Sequence, residues 1–166
     1  CVRLAHNVSR VSVLVGPPPA DGENPKLAKL ARALPEVASD HFAVLDDDTV
    51  LPAGALGRAV ESLQQAPLVT SLPCYIAKGG PFARLVAGFV NGNAAMTYPA
   101  GAELGQQKTI NGMFYCGRTV QLRQLGGFGV RVGELTDDYA MARLYLDAGL
   151  HVAQTAIVHP IRTHVR

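Results

Sequence analysis

"HFAVLDDDTVLPAGALGRAVESLQQAPLVTSLP", residues 41–73, decides the fold. It opens on a short apolar run and stops at Asp46, Asp47 and Asp48. It resumes as the helix-forming "PAGALGRAVESLQQ" and closes on the strand-like "PLVTSLP". Strand, acidic turn, amphipathic helix and strand in that order predict an α/β layered sheet. In such sheets ligands bind beyond the carboxyl ends of the strands, which is where the aspartates fall. Adjacent carboxylates repel one another, so water, a cation or a hydrogen-bond donor has to compensate them.

Outward from this unit the alternation continues. "VSVLVG", Val11 to Gly16, reads as a buried strand closed by glycine and prolines. "PKLAKLARAL", Pro25 to Leu34, places Leu27, Leu30, Ala31 and Leu34 on one helical face, with Asn24 as cap and Pro25 at the first position. "GGPFARLVAGFVNGNAAMTYPAG" is helical in period although broken by glycine. Its stripe of Phe82, Leu85, Val86, Phe89 and Val90 is expected to face the core; the other reading is a surface that rests on a membrane or meets another segment. "INGMFYCGR" reads as a strand and "TVQLRQLGGFG" as a short helix. "TDDYAMARLYLDAGL", Thr136 to Leu150, reads as a helix capped by Thr136 or Asp137, and "HVAQTAIVHP" as one or two strands.

The 166 residues are expected to form a single domain, and 48% hydrophobic content argues against disorder. A formal charge of +2 from scattered basic residues excludes a general nucleic-acid binder. Cys1, Cys74 and Cys116 have no metal-ligand spacing and read as free thiols of a reducing compartment, with Cys116 in the core. Lys78, Arg84, Asn91 and Asn93 interrupt the most apolar region, so no bilayer-spanning run is expected. The opening reaches its first expected strand without a signal-peptide cleavage pattern, and it starts on Cys, so an excised segment of a longer protein is expected. His41, His151, His159 and His164 follow no metal-ligand spacing and read as structural or exposed; His6 is uninformative.

Two acidic clusters are the candidates for chemistry. Asp46 and Asp48, two residues apart at a strand end, can point the same way and share a hard cation, Mg²⁺ or Mn²⁺. The plainer reading is a solvated turn, although a turn needs one aspartate rather than three. Asp137 and Asp138 open a helix, where carboxylates also serve as ordinary caps.

Four stretches in order, "GENPKLAKL" (22–30), "VLDDDTVLP" (44–52), "NGMFYCGRTVQLRQLGGF" (111–128) and "TDDYAMARLYLDAGLHV" (136–152), resemble inverting glycosyltransferases of families 2 and 21. The likeness is greatest to the ceramide glucosyltransferase family and its bacterial hopanoid-glycosylating relatives. The resemblance implies a GT-A, Rossmann-like α/β fold with a mostly parallel sheet and flanking helices. It implies a UDP-sugar donor, a lipid acceptor and a Mg²⁺ or Mn²⁺ cofactor. Asn24 and Lys26 would then lie near the nucleotide, Lys26 offering charge to the diphosphate; the plainer reading is a cap and an exposed lysine. Asp46 and Asp47 would face the nucleotide, and Asp46 or Asp48 the metal. The ceramide enzymes carry a single aspartate matching Asp47, whereas the broader family uses an outer pair matching Asp46 and Asp48, so the metal-binding carboxylate stays open, with Asp48 favoured. Asp138 would be the catalytic base. Gly112, Met113 and Asp137 would stand on the acceptor side, glycine letting backbone approach a sugar; a strand glycine beside a core methionine is the alternative.

The family's first strand-helix unit, with its uracil-contacting aspartate, has no counterpart before Val11, and Asp21 lies beyond the strand that should follow it. The later Q/R-x-x-R-W motif and membrane segments have no counterpart before Arg166. The expectation is therefore one partial catalytic domain of a membrane-associated enzyme, attached through other parts of its parent and facing the cytoplasm, with this segment soluble by itself. The competing expectation is an incomplete core or a non-catalytic nucleotide-sugar or lipid-binding module.

Overall fold

A computed structural model describes residues 11–105 and 107–164, with side chains to Ile161. The readings placed on Cys1, His6 and Arg166 lie outside the described residues, as does the side chain of His164. In chain order the elements are α1 (Pro25–Ala33), β1 (His41–Leu45), α2 (Ala55–Ser62), β2 (Leu68–Lys78), α3 (Pro81–Glu103), β3 (Phe114–Arg118), α4 (Thr119–Gln124), α5 (Asp137–Leu146) and β4 (Val152–His164). Short 3₁₀ turns follow α1 at Leu34–Glu36 and α4 at Phe128–Arg131.

The expected layered α/β sheet is present, in the order β1-β3-β2-β4. β2 and β4 pair in parallel, while β3 runs antiparallel to both β1 and β2. Three strands thus share a direction and β3 is reversed between two of them. The reason lies in the turn before β3: the amide of Asp46, just past the end of β1, donates to the Met113 carbonyl at 3.0 Å. The chain re-enters the sheet from the carboxyl end of β1, so β3 has to run back along it.

Two apolar layers cover the sheet. On one face Leu27 of α1 and Met141 and Tyr145 of α5 close over Phe42, Val44, Leu68 and Tyr115. On the other, Ala55, Ala59 and Leu63 pack on Val69, Phe114, Cys116 and Ile157. β1 alternates buried and open positions as an edge strand does, whereas Phe114 to Gly117 of central β3 are all buried. Gly117 opposes Phe42 in the β1–β3 register. A Cβ on Gly117 would lie 2.7 Å from the Phe42 ring, and that ring is held edge-on by Tyr115 and Phe128. Gly117→Ala is therefore expected to cost about 1–3 kcal/mol by overpacking, read as a lower urea midpoint at unchanged m value.

Two sequence expectations are corrected. Val11–Gly16 forms no strand: Val13, Leu14 and Val15 are 46%, 57% and 90% exposed. β-propensity makes a strand only by pairing with a sheet edge, and no described strand takes this stretch. The core-facing expectation for the stripe on α3 fails for Phe82, Leu85 and Phe89, while Val86 and Val90 are half-buried. Ala83, Ala87 and Ala94 are the residues this helix buries, while Phe82, Leu85, Phe89 and Met96 stand 65%, 68%, 74% and 78% exposed. Small side chains let α3 lie close against β2, and the large ones are left on the far side.

The other readings hold within a few residues. Asn24 caps α1, its Oδ1 accepting from the amides of Lys26 and Leu27 at 3.0 and 3.1 Å. The last stretch is one long strand with an irregular register between Thr70 and Leu72 of its neighbour. Among the described residues no helix is long and apolar enough to cross a membrane. Cys74 and Cys116 are free thiols, and burial pushes that of Cys116 up to about 11.

Candidate active site

Lys26 is the centre from which the site is built. Pro25 and the Asn24 cap start α1 so that the Lys26 side chain reaches across the carboxyl end of β1. Its ammonium has three hydrogens and meets three oxygens: Asp46 Oδ1 at 2.6 Å, the Gly112 carbonyl at 2.8 Å and Asp137 Oδ2 at 2.9 Å. One cation thereby ties together the two acidic clusters and the turn before β3. Burial works to lower the pKa of Lys26, but the close carboxylates of Asp46 and Asp137 outweigh it and the net shift is upward. Burial raises Asp137, against the pull of Lys26 and assisted by Asp138 and Asp46. Both shifts favour a bound proton, as expected where carboxylates outnumber the cations that serve them.

Asp137 Oδ2 is buried and, although close to Lys26, has no aligned hydrogen bond. Asp137 and Asp138 occupy the first turn of α5, where the free amides and the helix dipole favour carboxylates. The capping reading is met only in part: Asp138 Oδ1 accepts the Tyr139 amide at 2.7 Å, and Thr136 makes no side-chain cap. No Lys or Arg among the described residues is ion-paired with Asp138.

These groups open on one cavity of about 420 Å³. Lys26, Asp46, Gly112, Met113, Asp137 and Asp138 line it, and α3 and β2 supply its far wall, including Tyr75, Asn93 and Tyr98. Gly112 faces the acids closely; a Cβ there would lie 3.3 Å from Asp137 Oδ2 and from the Asp138 Cβ. Tyr75 and Tyr98 are raised by burial first, then Tyr75 by Asp48 and Asp46, and Tyr98 by Asp138. The negative potential of both clusters therefore reaches the opposite wall.

Three sequence candidates lie off the lining. Asn24 spends its side chain on the α1 cap and on the Leu135 carbonyl, 3.0 Å away. Asp47 and Asp48 are exposed. The strand alternation that would align Asp46 with Asp48 ends at Asp46, whose carbonyl accepts the Thr49 amide at 3.1 Å as the chain turns. Among the described residues no group of three or more His, Cys, Asp or Glu side chains is arranged to hold an ion. The donors present suit a hard cation that takes one or two carboxylates and keeps its other positions for phosphate and water, rather than a closed cage.

Tyr75, Asn93 and Tyr98 carried no signal in the sequence, because a helix face and a strand end acquire a cavity only by packing together. The buried set of Ser71, Asn111 and His159 behind the Asn111–Met113 turn was likewise not foreseen.

A comparison with curated proteins returns no match. A comparison with protein families matches the description "Glycosyl transferase family 21" over residues 3–164, nearly the whole chain. An α/β sheet whose carboxyl end gathers Asp46, Asp137, Asp138 and Lys26 around one cavity agrees with that assignment: the chain belongs to glycosyl transferase family 21 and is a glycosyltransferase.

Proposed function

We propose that this glycosyltransferase moves a hexose from a UDP-sugar to the hydroxyl of a lipid acceptor, ceramide-like or hopanoid-like, by a single inverting displacement. The observation that carries this reading is the division of one cavity into a charge-binding side, Lys26 and Asp46, and a side where Asp138 has no cationic partner among the described residues. Asp138 accepts the proton of the acceptor hydroxyl as its oxygen attacks the anomeric carbon. The bond from that carbon to the diphosphate oxygen breaks, and the electron pair leaves with UDP. Lys26 exchanges a carboxylate for a phosphate oxygen as the donor enters, since its ammonium already faces the cavity. Asp46 on the cavity lining, joined by Asp48 from the exposed turn that follows it, would hold Mg²⁺ or Mn²⁺, which when bound supplies charge neutralisation to the diphosphate. Asp47 and Asn24 stand on the nucleotide side, Gly112, Met113 and Asp137 on the acceptor side.

The exposed stripe of α3 supports a lipid acceptor. Val90, Asn93, Thr97 and Tyr98 line the cavity from the helix whose Phe82, Leu85 and Phe89 project outward. An apolar surface that adjoins the site suits a substrate drawn from a membrane, and membrane attachment of the parent protein is part of the same reading, with the site facing the cytoplasm.

UDP with Mn²⁺ is expected to raise the melting temperature by several degrees, as a ligand at about a hundred times its Kd stabilises by roughly 2.7 kcal/mol. Mn²⁺ alone is expected to do little. Transfer is then followed with UDP-hexoses and lipid acceptors in vesicles, the product's anomeric configuration being read by NMR. A product that keeps the donor's configuration, or transfer only to soluble sugars, would sink the reading.

A further inference from the structure

Ser71 on β2 and His159 on β4 are wholly buried, and Asn111 is 4% exposed. His159 Nδ1 lies 2.6 Å from Ser71 Oγ, and His159 Nε2 lies 3.4 Å from Asn111 Nδ2. The Asn111 amide is oriented by its other contacts. Its Oδ1 accepts the Met113 amide at 3.2 Å, and its Nδ2 donates to the Ser71 carbonyl at 3.2 Å. Nδ2 is therefore the group that faces the ring, so Nε2 has to accept and Nδ1 has to carry the hydrogen, donated to Ser71 Oγ. Thr70 completes the support: its hydroxyl accepts the Asn111 amide at 3.1 Å and lies 3.1 and 3.0 Å from the carbonyls of Asn111 and Phe114.

What this buried chain holds is the Asn111–Met113 turn. The Gly112 carbonyl accepts from Lys26, and the Met113 carbonyl accepts from the Asp46 amide. All three turn residues line the cavity. The register irregularity of β4 beside Thr70 and Leu72 sets the strand that carries His159, and such irregularities commonly re-aim side chains next to sites.

We propose that His159, through Ser71 and Asn111, is a positioning residue that sets the acceptor-side wall of the cavity. It touches no substrate; it fixes the Asn111 amide, and Asn111 fixes Gly112 and Met113. The acceptor part rests on the lipid-transfer reading, whereas the structural part does not.

The test uses the full chain with His159→Phe, which fills the space without a donor or acceptor, and His159→Gln, whose amide offers one of each. Amide hydrogen exchange at residues 111–113 is expected to quicken about tenfold in His159→Phe, as for loss of one buried hydrogen bond, and to recover in part in His159→Gln. Exchange in α2 and α5 stays as in the wild type. The acceptor KM rises about tenfold while the UDP-sugar KM moves clearly less, the turn touching the donor side only through its Gly112 and Met113 carbonyls. Unchanged exchange at 111–113, or faster exchange throughout both layers, overturns the proposal; so does an equal rise in both KM values. Should His159→Phe not fold, Ser71→Ala keeps the ring and gives the same readouts. A wild type that transfers to no lipid refutes the acceptor reading alone, because the exchange measurement still decides the role of His159.

Discussion

Asp138→Asn is expected to lower kcat by about 10²–10⁴-fold, the range associated with a positioned general base. The UDP-sugar KM should stay near its wild-type value. Asparagine is nearly isosteric and still offers an oxygen to the Tyr139 amide that Asp138 Oδ1 accepts at 2.7 Å, so α5 keeps this local support. The variant cannot take a proton from the acceptor hydroxyl. Asp137→Asn is the informative neighbour, since Asp137 is tied to Lys26 and Asp138 is not. It should change stability more and kcat less. Near-normal turnover in Asp138→Asn, measured under saturating donor and acceptor, would remove Asp138 as the base.

Lys26→Met should cost about 2–3 kcal/mol, somewhat below the roughly 3–5 kcal/mol of a fully buried broken pair, because the Lys26 and Asp46 side chains each keep 30% exposure. The loss comes from the carboxylates left behind: Asp46 and Asp137 lose their shared counter-ion, and the Gly112 carbonyl loses a donor. Two measurements separate this from a packing effect. Adding Asp137→Asn to the variant should return about 1 kcal/mol, a coupling expected of residues in direct contact. The deficit should also shrink in acid. Burial already raises the Asp137 pKa and Lys26 opposes that rise, so removing the lysine lifts it further above the unfolded value. A raised carboxyl favours the folded state when protonated, so the deficit is full above the raised pKa and falls as pH drops through it. A deficit independent of pH and of Asp137 would show that the lysine's stem, not its charge, is what the fold uses.

The strand–helix alternation was legible in residues 41–73 because apolar periodicity and turn chemistry are local properties. Asn24 and Pro25 announced the start of α1 for the same reason. The likeness over four ordered stretches carried the family, and a match over residues 3–164 agrees with it. Val11–Gly16 misled because propensity cannot supply a pairing partner, and Phe82, Leu85 and Phe89 of the α3 stripe misled because periodicity gives a face but not its direction. Ala83, Ala87 and Ala94 lie on the same helix and are what β2 accepts at close range.

By itself the sequence determined the α/β class, the position of Asp46 at a strand end and that of Asp137 and Asp138 at a helix start, since each follows from residues near in the chain. Tertiary structure decided that Lys26 is the counter-ion of both clusters and that Gly112 closes against the acids. It alone set His159 behind the turn that lines the cavity. Those relations join residues 86, 111 and 48 positions apart. Only the packing of α1, β3, β4 and α5 around one sheet end brings such groups within hydrogen-bond range.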